Sequence, residues 1–163
     1  DCNPGTSDRN DHWLYFRTFN SSTMNILILQ GPNLNMLGLK SSETKANITL
    51  DKINRTMKKH VKGKNVTLKI LQTHKQFQAV NFLQRNRNWA DGILFIPTSW
   101  ARNEFTILET LELISLKTAV VYFTGPFSFG TDEQQSIIAG NYIQSFSGDP
   151  FEACLAGLEH LLS

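Results

Sequence analysis

The chain has 163 residues, 40% of them hydrophobic, and its 16 basic and 14 acidic side chains leave a net charge of +2. That length supports one domain with a sizeable core, and the near balance of charge argues against a nucleic-acid footprint or an acidic tail. No apolar run approaches the ~18 residues of a membrane-spanning helix, so neither membrane nor nucleic acid is expected as a partner, and the location is expected to be cytoplasmic.

Residues 1–23 are polar and aperiodic apart from an aromatic run at Trp13, Leu14, Tyr15 and Phe16. They are read as a leader outside the fold, with the domain spanning 24–163. Cys2 and Cys154 stand at opposite ends, and Cys154 falls on the apolar side of the last helix, where a buried reduced thiol is expected. The sequons at Asn20, Asn47, Asn54 and Asn65 carry little weight without a secretory signal.

The first strand, residues 25–30, is wholly apolar from Ile26 to Leu29 and runs through Gln30 into Gly31, Pro32 and Asn33, which cannot continue it. A long polar connection to Ile48 follows, of the kind that serves as a lid or binding loop or is disordered. Thr49 reads as the N-cap of a helix carrying Leu50, Ile53, Met57 and Val61 inward, stopped by Gly63. Its Lys58, Lys59, His60 and Lys62 suit the negative end of the helix dipole and read as a solvated last turn. A strand at 66–71 leads to a helix with Phe77, Val80 and Leu83 as the buried stripe.

Residues 92–96 form an apolar strand stopped by Pro97. The next helix, 104–116, is expected to bury Phe105, Leu108, Leu111 and Leu113, and 119–123 is the fourth strand. A turn-rich loop containing Phe127 and Phe129 precedes a short fifth strand near 142–146. Asp149, Pro150 and Glu152 then open a final helix burying Phe151, Leu155, Leu158 and Leu162. Five strands alternating with helices, most of them apolar on both faces, imply an α/β, flavodoxin-like, doubly wound five-stranded parallel sheet with helices on both faces.

Such a sheet brings the loops after its first four strands to one edge. Those loops hold Asn33, Asn35, Lys40, Lys45, Thr73, His74, Lys75, Thr98, Ser99, Trp100, Arg102, Thr124 and Ser128, a basic and hydroxyl-rich set suited to a small anionic ligand. The plainer reading is that surface loops are polar in any case. No dinucleotide or nucleoside-triphosphate phosphate cradle occurs, and His12, His60, His74 and His160 are scattered, so no metal site and no cofactor are expected.

The run from Gln30 through Gly31, Pro32, Asn33, Leu34, Asn35, Met36 and Leu37 to Gly38 resembles the opening signature of the type II 3-dehydroquinate dehydratases, with support from Thr49 to Ile53 and Ala90 to Ile93. The resemblance implies a cofactor-independent lyase of the shikimate pathway. A lid tyrosine activated by an arginine would remove a proton alpha to a carbonyl, and a histidine would protonate the departing hydroxyl. It also implies a homo-oligomer, trimer-based and up to a dodecamer.

Position by position, however, the acid–base set differs. The lid arginine and tyrosine positions hold Lys40 and Lys45. The Asn-Pro-Gly after the third strand reads Ile96, Pro97, Thr98, and the histidine that follows reads Arg102. After the fourth strand, His-x-Ser-Asn reads Tyr122, Phe123, Thr124, Gly125, and His-Ala-Arg-Glu reads Phe127, Ser128, Phe129, Gly130. The expectation is therefore a catalytically degenerate homologue with ligand-binding residues Asn33, Thr124, Arg102 and Lys40. Lys45 is the one candidate for a residual base, set against its reading as a solvated lid lysine. An active dehydratase using rearranged residues is one alternative. The other is an interaction subunit in which Trp100, Phe127 and Phe129 are interface anchors or fill the abandoned pocket.

Overall fold

The computed structural model describes residues 23–163. The expectations for the leader, with Cys2, His12, Asn20 and the aromatic run, lie outside the described residues.

Strands β1 (Met24–Gln30), β2 (Val66–Gln72), β3 (Gly92–Ile96), β4 (Lys117–Phe123) and β5 (Ile143–Gly148) form one parallel sheet in the order β2-β1-β3-β4-β5. This is the flavodoxin-like order expected of right-handed crossovers. Period-two alternation sends each strand's side chains to two separate cores. Ile26, Ile28, Leu94, Val121 and Phe123 pack with helices α2 (Leu50–Val61) and α5 (Pro150–Leu162). Leu27, Leu29, Ile93, Phe95 and Val120 pack with α3 (Gln76–Asn86) and α4 (Phe105–Ile114) on the other face.

The helix starts follow local chemistry. The Thr49 hydroxyl accepts the Lys52 N–H at 3.3 Å, and the Asp149 carboxylate accepts those of Phe151 and Glu152 at 3.0 and 3.4 Å. Among the described residues, no helix is long and apolar enough to cross a membrane. Cys154 is buried and has no disulfide partner among the described residues.

Four expectations need correction. The long polar connection is not structureless: it holds a 3₁₀ turn at Leu34–Met36 and a short helix, α1 (Leu37–Ser42), anchored by buried Leu34 and Leu37. In α3 the buried residues are Ala79 and Leu83, while Phe77 is 59% exposed. In α4 they are Ile107, Thr110 and Leu111, with Phe105 64% and Leu113 77% exposed. Both helices carry apolar residues on several sides, so the side that docks is set by helix and sheet neighbours. In α5, Ala153, Cys154, Gly157, Leu158 and Leu161 face the sheet, with Phe151, Leu155 and Leu162 at its margin.

Candidate functional site

The carboxyl edge is built around the exit of β1. Gly31 runs so close to the end of β3 that a Cβ there would lie 2.4 Å from the Pro97 carbonyl oxygen. Its N–H donates to the Ile96 carbonyl at 2.8 Å, and its own carbonyl accepts Gln72 Nε2 at 3.1 Å. Asn33 then takes the left-handed conformation, φ 65°, which asparagine tolerates, and its N–H donates to Nδ1 of His74 at 3.1 Å. With Nδ1 accepting, the neutral imidazole carries its proton on Nε2.

Thr98 also sits at positive φ, 51°, which a β-branched side chain adopts only under strain of order 1–3 kcal/mol. What holds it is its hydroxyl, 2.8 Å from the Pro32 carbonyl and 2.7 Å from that of Pro97, in a buried position. Thus the β1 loop is tied to the β2 loop through His74 and to the β3 loop through Thr98. Below them the buried amide of Gln30 donates to Asn54 Oδ1 at 2.7 Å, while its Oε1 has no partner among the described residues.

On the β4 side the Tyr122 hydroxyl donates to Ser136 Oγ at 2.6 Å, and that oxygen accepts the Ile138 N–H at 3.0 Å. Burial pushes the Tyr122 phenol above its ordinary value, against the lowering effect of Ser136. Phe127 is buried and Phe129 packs against the same core. Beside them lies a void of about 10 Å³ lined by Ile96, Thr98, Val121, Tyr122, Phe123, Phe129 and Thr131. That is room for about one water molecule.

The expected ligand-binding residues surround this plug rather than line the void. Lys40 lies with Nζ 4.9 Å from the centre of the Phe129 ring, a cation–π contact that places α1 over the loop. Arg102 Nη2 donates to the Gly130 carbonyl at 2.8 Å and lies 3.4 Å from Gln135 Oε1. Thr124 is exposed, and its backbone N–H donates to Gly148. Lys45 is exposed in a turn. Trp100 and Phe127 are 8% exposed each, so they fill the interior and do not stand as free interface anchors.

Sequence reasoning left two participants without a role. His74 had no visible link to Asn33, because a bond between separate loops leaves no local signal. Thr98 gave no sign of a strained backbone, although its replacement of the resemblance's glycine is the trace of one.

The sequence profile of the family described as dehydroquinase class II matches residues 24–162. A 3-dehydroquinate dehydratase of Trichodesmium erythraeum is 29% identical over 139 residues, covering 85% of this chain and 93% of that protein. The one from Endomicrobium trichonymphae is 28% identical over 138 residues, covering 85% and 96%. Among solved structures, a type II dehydroquinase from Butyrivibrio crossotus superposes with a TM-score of 0.75 at 22% identity, covering 87% of this chain and 99% of that one. A 3-dehydroquinate dehydratase-like protein from Bifidobacterium longum gives 0.56 at 12% identity, covering 86% and 98%.

Proposed function

This chain belongs to the class II dehydroquinase family, and we propose that it keeps that scaffold without the dehydration chemistry, binding at most a small anion at the rim of the closed edge. The observation that carries this reading is the plug. Small-molecule sites enclose about 300–1,000 Å³, whereas the space between Ile96, Phe123, Phe129 and Thr131 is about 10 Å³. Polarity points the same way. Proton abstraction beside a carbonyl and departure of a hydroxyl need a base and an acid facing the same ring, each worth roughly 10²–10⁴-fold. The Tyr122 phenol is buried and already spent on Ser136, while Phe127 and Phe129 neither accept nor donate protons. The cations at the rim, Lys40 and Arg102, retain attraction for a carboxylate without holding it over an acid–base pair.

One observation favours a second reading, in which 3-dehydroquinate is still dehydrated by rearranged residues. His74 presents an imidazole beside Asn33 at the ligand edge, with Nε2 directed away from the bond that fixes Nδ1. The relatives named above are themselves 3-dehydroquinate dehydratases.

Mixing purified protein with 3-dehydroquinate and following the enone absorbance of the product, alongside titration calorimetry, separates the readings. Binding without turnover is the expected result. Turnover abolished by His74→Ala or Lys45→Ala overturns it. The exposed Phe77, Phe105 and Leu113 on the adjoining helices α3 and α4 support self-association of this scaffold, which sedimentation checks through a mass above the monomer.

A further inference from the structure

The small net charge conceals a strong asymmetry. Residues 52–87 contain ten Lys and Arg and no Asp or Glu, whereas residues 88–163 contain nine Asp and Glu and only two Lys and Arg. The basic stretch is α2, β2 and α3, and all ten of its cations are exposed. Since β2 is the outermost strand of the described sheet, with α2 on one face and α3 on the other, these elements form one continuous side of the molecule dominated by cations, with Asp51 in the first turn of α2 as their one acidic side chain. The Lys58, Lys59 and Lys62 cluster at the end of α2 is therefore part of a larger field and not only a solvated last turn.

Some of these cations have internal work. Lys69 lies over the Trp89 ring at 4.2 Å and donates to Asn86, and Lys64 stands 3.8 Å from Glu159. Arg55, Lys58, Lys59 and Lys62 have no acidic partner among the described residues. Between the end of α2 and β2 runs a groove of about 550 Å³ whose walls combine Lys58 and Lys62 with Val61, Val66, Thr67 and Leu68. Its floor is an edge strand, which offers a row of backbone N–H and C=O groups.

We propose that this side of the protein docks an acidic, extended polypeptide segment, which pairs with β2 as an added strand and sets its carboxylates against Lys58 and Lys62. The cationic field alone would suit any polyanion. The strand edge and the alternation of apolar and cationic groove walls are what a polypeptide matches and a phosphate backbone does not. The sign of the side selects an acidic sequence and repels a basic one.

The test uses fluorescence anisotropy with a labelled peptide of alternating Glu and Val, its Lys/Val counterpart, a single-stranded oligonucleotide and phosphatidylserine vesicles. The Glu/Val peptide binds and the Lys/Val peptide does not. Affinity falls at least about ten-fold between roughly 50 and 300 mM salt, and the peptide slows hydrogen exchange of the β2 amides. The double variant Lys58→Glu/Lys62→Glu loses at least about ten-fold in affinity, while an unchanged Tm shows that it is folded. Absence of peptide binding, binding that leaves β2 exchange unaltered, or tighter binding to the oligonucleotide or the vesicles overturns the proposal.

Discussion

Gly31→Ala tests whether the turn after β1 is held by close backbone approach. The new methyl carbon would stand 2.4 Å from the Pro97 carbonyl oxygen, 2.8 Å from its carbon and 3.0 Å from the Ile96 oxygen. Comfortable carbon–oxygen separations lie about 1 Å beyond the shortest of these, so one of the two strand ends has to retreat by roughly that much. Every obstructing atom is backbone, which cannot rotate away. A retreat of that size breaks the 2.8 Å bond from the Gly31 N–H to Ile96 and loosens the Gln72 contact to the Gly31 carbonyl. Overpacking at about 1–3 kcal/mol and two hydrogen bonds at about 0.5–1.5 kcal/mol each give a loss of about 2–6 kcal/mol. In a domain of this size that lowers Tm by roughly 5–20 °C, measured by circular dichroism. Gly125→Ala is the control. Its Cβ meets nothing within 4 Å, and the φ of +64° is the only obstacle, which costs about 1–2 kcal/mol. A Gly31→Ala protein melting within about 2 °C of the parent would refute the close-approach argument.

The strain at Thr98 separates two substitutions. Thr98→Val keeps the β-branch at positive φ and loses the hydroxyl, so urea unfolding shows a loss of about 1–2 kcal/mol. Thr98→Gly relieves strain while losing the same bond and stays within about 1 kcal/mol of the parent. In a Cys2→Ser background, Cys154 resists a thiol reagent until the protein unfolds, because burial pushes its thiol far up. A fast native-state reaction contradicts that. The hydrogen bond from His60 holds the Glu159 carboxyl below its ordinary 4.5, with weaker help from the charges of His60 and Lys64 and against slight desolvation. A depressed carboxyl stabilises the fold above 4.5, and that contribution is lost as pH falls through the folded value. Glu159→Gln therefore flattens the acid limb of a Tm–pH curve. Desolvation, aided by Lys117, holds His160 below 6.5, so its folded form resists protonation. Stability rises with pH from the folded value up to 6.5, a slope that His160→Gln removes.

What could be read from the chain alone was what local chemistry decides. Thr49 and Asp149 announce their helices because a cap needs only its own next three residues. The apolar runs at β1, β3 and β4 announce strands covered on both faces, and with right-handed connections these fix the sheet order. The docked side of α4 was not readable, because Phe105 and Leu113 are as apolar as Ile107 and Leu111 and only the neighbouring helix and sheet distinguish them. Helix α1 escaped notice because its Gly38, Ser41 and Ser42 are weak helix formers, held by the burial of Leu37 beneath them. At the candidate site, the loss of polar groups showed in the identities of Phe127 and Phe129. Whether those rings fill the vacated space or stand clear of it is a packing outcome, which no short stretch of sequence encodes.

The strand order also bears on how the molecule assembles during synthesis. Strands β3, β4 and β5 pair across only 25 residues each, as in Gly92 with Lys117 and Thr118 with Ile143, whereas Ile26 meets Gly92 across 66. Loop length alone makes the longer closure costlier by about 0.9 kcal/mol. An interior strand of the sheet, β1, is thus the first made and among the last to be enclosed on both sides. Until Ile96 has left the ribosome, Ile26 to Leu29 have no partner on the β3 side, and a wholly apolar segment waits in the open. Pulse-labelled hydrogen exchange during refolding should find the β3–β5 amides protected ahead of those in β1. The same delay marks that segment as the one a nascent-chain chaperone would hold.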